Sequence, residues 1–178
     1  MIAALGNLAV AAAPYALYGW NAASAHAAAR NTARYSALWF LVAFATPGLV
    51  RWIRTLSSEA VLLQAFVAAH LIHFSAVSVV FAAFDRAHVA QHPGSATLVI
   101  LFGFTLTILV GLTAVPRASR PYTALRKVTL YAMFLIFVLA FANNRVRPLR
   151  LYAIMLLLAL ILRHLPLLVT RRESPAAP

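Results

Sequence analysis

Six apolar runs divide this chain, and the polar residues fall almost wholly between them. A window of about 20 residues, the length needed to cross about 30 Å of hydrocarbon, places helices at about 2–20, 35–53, 60–84, 97–115, 128–143 and 149–170. Proline and glycine punctuate the boundaries: Pro47-Gly48 near the end of the second run, Pro93-Gly94 before the fourth, Pro116 after it and Pro148 before the sixth. Connections of about 5 to 14 residues leave no room for a soluble domain. The pattern predicts an all-α integral membrane protein: one six-helix transmembrane bundle over residues 1–170, with 171–178 as a flexible tail.

The first run has its own signature. It is rich in Ala and Gly, contains Asn7 and Pro14, and is followed by Ala22-Ala23-Ser24-Ala25-His26-Ala27, which resembles a small-residue signal-peptidase site. Cleavage there would leave five helices. A secretory leader also needs a basic start, and no Lys or Arg precedes Arg30, so the run reads as a retained helix.

Composition agrees with the pattern and narrows the chemistry. Of 178 residues 63% are hydrophobic and 10% charged, with a mean hydropathy of +0.86. The chain has no cysteine, which removes disulfides, thiolate catalysis and thiolate metal ligation. Any cofactor falls to His, Met, Tyr or backbone groups.

The formal net charge of +12 is distributed as basic loop residues that resist translocation. With the N-terminus inside, one side collects Arg51, Arg54, Arg117, Arg120, Arg126, Lys127, Arg163, Arg171 and Arg172, and the other Arg30, Arg34, Arg86, Arg145, Arg147 and Arg150. That split of nine against six places both termini in the cytoplasm, in a bacterial inner membrane. Attraction to anionic headgroups accounts for the remaining charge. Nucleic acid is excluded as a partner, because no basic helix or aromatic-basic platform stands outside the apolar runs.

His70 and His73, in Ala68-Ala69-His70-Leu71-Ile72-His73-Phe74, sit mid-way along the third run. Imidazoles at membrane depth face a bundle interior, pair with a neighbour or bind a metal or cofactor. One reading makes them structural, hydrogen-bonded to Ser75, Thr105 or Thr107. The other gives His70 an iron to hold. Three residues apart on one helix face, the two cannot clamp opposite faces of one haem. Met133, seven residues beyond Arg126, is the best-placed alternative donor for the second side, and a five-coordinate haem on His70 alone is equally open.

Asp85-x-x-His88-x-x-x-His92 would bring a carboxylate and two imidazoles together on helical turns, a reasonable Zn or Cu set. Pro93-Gly94 limits any helix there, and Asp85 beside Arg86 reads as an interfacial charge pair. Gly103 and Gly111 allow close helix approach in the fourth run. Trp20, Tyr35, Trp39, Tyr122, Tyr131 and Tyr152 fall mostly towards run ends, as interfacial aromatics do. Neither a Ser-His-Asp set nor a phosphate-cradling loop is visible.

Runs two to six resemble, in order, the ferric reductase-like transmembrane domain family. The likeness is to its small bacterial branch, which includes the haem-binding membrane subunit of the periplasmic methionine sulfoxide reductase system. The residues that carry it are Arg34-Tyr35-Ser36-Ala37-Leu38-Trp39-Phe40-Leu41 closing on Ala45-Thr46-Pro47, then Leu63-Gln64-Ala65-Phe66-Val67-Ala68-Ala69-His70. Gly103 and Gly111-Leu112-Thr113-Ala114 follow in the fourth run, and Tyr122-Thr123-Ala124-Leu125-Arg126-Lys127-Val128-Thr129-Leu130-Tyr131 in the fifth.

The resemblance implies b-type haem on His70 and electron exchange with a quinone or a separate membrane or periplasmic protein. No flavin or nicotinamide domain is present in this chain. The sequence departs from the family in the fifth run: Arg126 stands at a haem-ligating histidine, and Leu139, Ala140 and Phe141 where a second would fall. Guanidinium has no lone pair for iron, which leaves Arg126 at most a haem propionate to pair. Two functions follow: a membrane cytochrome-like electron-transfer subunit with one haem b, or a haem-free accessory or assembly subunit of a larger membrane complex. Either is a redox or structural subunit more than a self-contained enzyme.

Overall fold

A computed structural model describes residues 1–50, 53, 58–91, 93–115, 120–142 and 149–170. Among them every regular element is helical: α1 Ile2–Tyr18, α2 Ala22–Leu49, α3 Glu59–Val79, α4 Arg86–Gln91, α5 Pro93–Thr113, α6 Arg120–Ala142 and α7 Leu149–Thr170. Six long helices occupy the six apolar runs, and the single short one, α4, lies where a loop was expected.

Helix α2 departs most from the hydropathy pattern. It begins at Ala22, 13 residues before Tyr35, because Asn21 caps it by accepting from the Ser24 N–H (2.9 Å) and the alanines that follow are strong helix formers. Arg30 and Arg34 interrupt hydropathy there without interrupting the helix. At α6 the start moves eight residues earlier, to Arg120, with Pro121 in the first turn, where its missing N–H costs nothing. Ser58 caps α3, its hydroxyl accepting from the Val61 N–H (3.4 Å), with Glu59 in the first turn favoured by the helix dipole. The far end of α3 widens into a π-helical stretch, Val80–Phe84, and Asp85 closes it by donating its N–H to the Val80 carbonyl (2.9 Å).

The α2–α3 pair is the spine. Helix α1 packs on both, α7 on the other flank of α2, α5 on α3, and α6 bridges α5 and α7. The core is aromatic: Phe40 meets Phe66 (5.2 Å between ring centroids) and Phe137 (5.0 Å), and Phe44 stacks on Phe134 (4.8 Å). Leu63, Val110, Leu130 and Met133 fill the space between them. As expected for the fourth run, its glycines bring α5 close to α3. A Cβ at Gly103 would lie 2.8 Å from Phe74 Cζ, and one at Gly111 3.3 Å from Val67 Cγ1.

Two helical stretches, Glu59–Phe84 and Arg120–Ala140, are long and apolar enough to cross a membrane by length and composition. Among the described residues, Ile2–Tyr18, Leu101–Thr113 and Leu151–His164 are shorter apolar helices.

Candidate functional site

Helix α3 presents His70 and His73 to α2, and their ring centroids stand 5.2 Å apart. His70 is buried, 6% exposed, against Phe66 (5.0 Å), Phe74 (4.9 Å) and Phe137 of α6 (5.7 Å).

The hydrogen bonds favour one tautomer. Ser36 Oγ of α2 lies 2.9 Å from the Ala33 carbonyl, to which it can donate, and 2.9 Å from His70 Nδ1. A hydroxyl has one proton. When the carbonyl takes it, the imidazole is the donor in the second contact, with its proton on Nδ1 and a lone pair on Nε2. Thr32 repeats the arrangement one turn away. Its hydroxyl donates to the Ala28 carbonyl (2.8 Å) or the Ala29 carbonyl (3.0 Å), and Oγ1 lies 3.2 Å from His73 Nδ1. Among the described residues no hydrogen bond is made at His70 Nε2, while the His73 ring has a further backbone partner in Ala29. Anchoring one ring nitrogen and leaving the other bare is how a protein orients an imidazole for a metal.

Both partners differ from those expected. Ser75 turns back to the Leu71 carbonyl (3.1 Å), Thr107 to the Gly103 carbonyl (2.8 Å), and Thr105 is exposed. The sequence did hold a signal for the true ones: Ser24, Ala28, Thr32 and Ser36 recur every fourth residue along α2, and all four are buried. Asn7 was also legible as a polar residue in an apolar run. It is fully buried and donates from Nδ2 to the Ala69 carbonyl (2.5 Å), which ties α1 to α3 beside the histidines. Asn7 Oδ1 and Ser24 Oγ are buried without a partner among the described residues.

The other expected site residues lie elsewhere. Met133 is buried in the α6 core, one turn before Phe137. Arg126, partly exposed near the start of α6, is 11 residues before Phe137, about 16 Å along the helix axis. Among the described residues neither has a hydrogen bond or ring contact with the histidines. Asp85 pairs with His26 of α2 (Nε2 to Oδ1, 3.4 Å) and not with Arg86, whose Nε donates to the Ala82 carbonyl. The His88 side chain and His92 fall outside the described residues. Among those described, no three His, Asp or Glu side chains gather as a metal-ion set. For haem the donor chemistry at His70 fits one axial ligand, and the described residues supply no second.

Two further features bear on the site. Arg163, counted above among the loop charges, turns inward: Nη1 donates to the Phe44 carbonyl (2.7 Å) and to Glu59 Oε1 (2.9 Å), with the guanidinium 4.6 Å above the Phe44 ring. On the outer face of α2 the i, i+4 series reads His26, Arg30, Arg34, then Leu38 and Val42, all exposed to some degree, and aliphatic exposure continues at Val50 and Ile53. The change from arginine to leucine falls level with Ser36 and His70. The pair is therefore mid-way along α3 and mid-way along the Glu59–Phe84 span.

No family model matches the chain, and no curated protein or solved structure matches it.

Proposed function

We propose that this chain is a membrane cytochrome-like electron-transfer subunit that binds one b-type haem through His70 Nε2. In this reading α1–α3 and α5–α7 lie in a bacterial inner membrane with both termini cytoplasmic. The observation that carries it is the hydrogen-bond geometry of His70, a buried imidazole whose Nδ1 lies 2.9 Å from Ser36 Oγ and whose Nε2 has no partner among the described residues. A purely structural histidine gains by engaging both nitrogens, since an unmade buried hydrogen bond costs about 1–3 kcal/mol.

The membrane assignment draws on Glu59–Phe84 and Arg120–Ala140, 26 and 21 residues, which at helical rise span about 39 Å and about 32 Å against the roughly 30 Å of a hydrocarbon core. The haem would supply a one-electron carrier. The residues of this chain would orient its ligand, through Ser36, and line it, through Phe66, Phe74 and Phe137. His73, 3.2 Å from Thr32 Oγ1 through Nδ1, is a second imidazole beside it.

The haem-free accessory subunit remains the second reading, favoured by a specific observation: Arg126 stands where the family resemblance calls for a haem-ligating histidine. Visible absorption spectra separate the two. Protein purified from haem-supplemented cells is expected to show a Soret band that shifts on dithionite reduction and disappears in His70→Ala. A featureless spectrum from the same cells would refute haem binding and leave the accessory role.

A further inference from the structure

Helix α1 is apolar apart from Asn7 and two tyrosines towards its end. A buried amide in such a helix needs a partner on a neighbouring one. Asn7 is fully buried, and its Nδ2 donates to the Ala69 carbonyl of α3. That carbonyl has a defined place in the site. In an α-helix the carbonyl of one residue accepts from the N–H four residues on, so the Ala69 carbonyl closes the turn that ends at His73, and Ala69 directly precedes His70. Asn7 therefore holds the turn of α3 that carries both imidazoles.

The residue before Asn7 docks on the opposite wall. Gly6 lies so close to Tyr35 of α2 that a Cβ there would run into the phenol hydroxyl, and Tyr35 directly precedes Ser36. Gly6-Asn7 thus touches α2 one residue before Ser36 and α3 one residue before His70. Ser36 Oγ and His70 Nδ1 are the atoms that stand 2.9 Å apart between those two walls. For the fold itself Asn7 gains little. Its Oδ1 is buried without a hydrogen-bond partner among the described residues, so the amide satisfies one end and strands the other. An apolar side chain of similar bulk removes the bond and the stranded acceptor together, which is close to neutral for stability.

We propose that Asn7, seated by Gly6, is a positioning residue for the histidine site: α1 clamps α2 and α3 at the level of Ser36 and His70, and so fixes the imidazole that is offered as a ligand. The clamp rests on these contacts alone; the haem it serves rests on the function proposed above. With the amide gone, His70 keeps its aromatic neighbours, but α1 no longer holds the backbone from which the ring hangs. Ser36 is then free to meet Nδ1 as donor or as acceptor, and two tautomers share the site. Hydrogen-bonding groups behind a ligating histidine orient it in this way, and losing one lowers metal affinity by roughly 10- to 100-fold.

The test uses the full chain in nanodiscs with 15N ring-labelled histidine, first free of iron and then titrated with haemin. Asn7→Leu is expected to keep the size-exclusion peak and the melting temperature of wild type. Its His70 ring nitrogens are expected to move from the shifts of one tautomer towards the average of two, and haemin is expected to bind about tenfold more weakly. Gly6→Ala, which keeps the amide and pushes at Tyr35, is expected to move the same signals. Leu5→Ala, at an exposed position of α1, is expected to change none of them. His70 signals in Asn7→Leu that match wild type overturn the proposal. So does loss of the size-exclusion peak in both Asn7→Leu and the smaller Asn7→Ala, which would make Asn7 a residue of the fold alone. A wild type that shows no Soret band with haemin refutes the haem reading instead, and the iron-free signals still decide the clamp.

Discussion

Gly48→Val is expected to leave little folded protein. Gly48 is where α2 comes closest to α7: a Cβ built on it would run into the backbone carbonyl of Leu162. The obstacle is main chain in the middle of a helix, so no rotamer change can relieve it, and the two helices must separate. Small residues at such crossings are what lets helices in lipid approach closely. Overpacking a core usually costs about 1–3 kcal/mol; here the whole α2–α7 contact is at stake, including the Arg163 bonds one turn away. The expected readout is loss of the monodisperse peak in detergent size-exclusion chromatography. Gly103→Ala is the companion measurement, because its Cβ would meet only the tip of the Phe74 ring at 2.8 Å. A ring can swing, and that variant should keep the peak with a small fall in melting temperature. Equal behaviour of the two would remove the close α2–α7 approach from the account.

The second large effect is expected at Arg163. One nitrogen of its guanidinium joins three helices: it lies on α7, donates to the Phe44 carbonyl of α2 and pairs with Glu59 in the first turn of α3. Pro47 supplies no N–H to the last turn of α2, so a cation at that end steadies a loosened helix terminus. Flat over Phe44 and 5.6 Å from the Tyr131 ring, the guanidinium also packs. Arg163→Met keeps most of the bulk and leaves Glu59 without its cation. Stranding one partner of a buried pair costs about 3–5 kcal/mol. Glu59 retains some exposure, so about 2–3 kcal/mol is expected, read as a drop in melting temperature. Adding Glu59→Gln should recover more than half of the loss, because the stranded charge is then gone. A single variant within about 0.5 kcal/mol of wild type, the scatter of surface substitutions, would make the pair incidental.

Hydropathy located the helices well where lipid-like composition and helix coincide, as in α7, whose bounds match the sixth run. It failed where they part. The first 13 residues of α2 are helical by alanine content and an Asn cap, neither of which raises hydropathy, while Arg30 and Arg34 lower it. The extension matters, since it carries Thr32.

At the site, His70 and His73 stood out because polar residues in apolar runs are rare. Their partners did not, since Ser36 and Thr32 are 34 and 41 residues away, and pairing across helices depends on packing that a single sequence does not record. The four-residue recurrence of Ser24, Ala28, Thr32 and Ser36 was the available clue. Arg163 was hidden for a related reason: near a run end, an inward arginine and a loop arginine look alike until Glu59 is found opposite it.

Whether α2 holds both imidazoles ready to ligate is tested most directly by 15N NMR of the full chain in nanodiscs, with ring-labelled histidine and assignments from His70→Ala and His73→Ala. The account predicts that His70 and His73 both carry the proton on Nδ1 and show an unprotonated Nε2, moved only when iron porphyrin is bound. Protonated Nε2 with a bare Nδ1 in His70 would mean that Ser36 is the donor, and the central claim would be wrong.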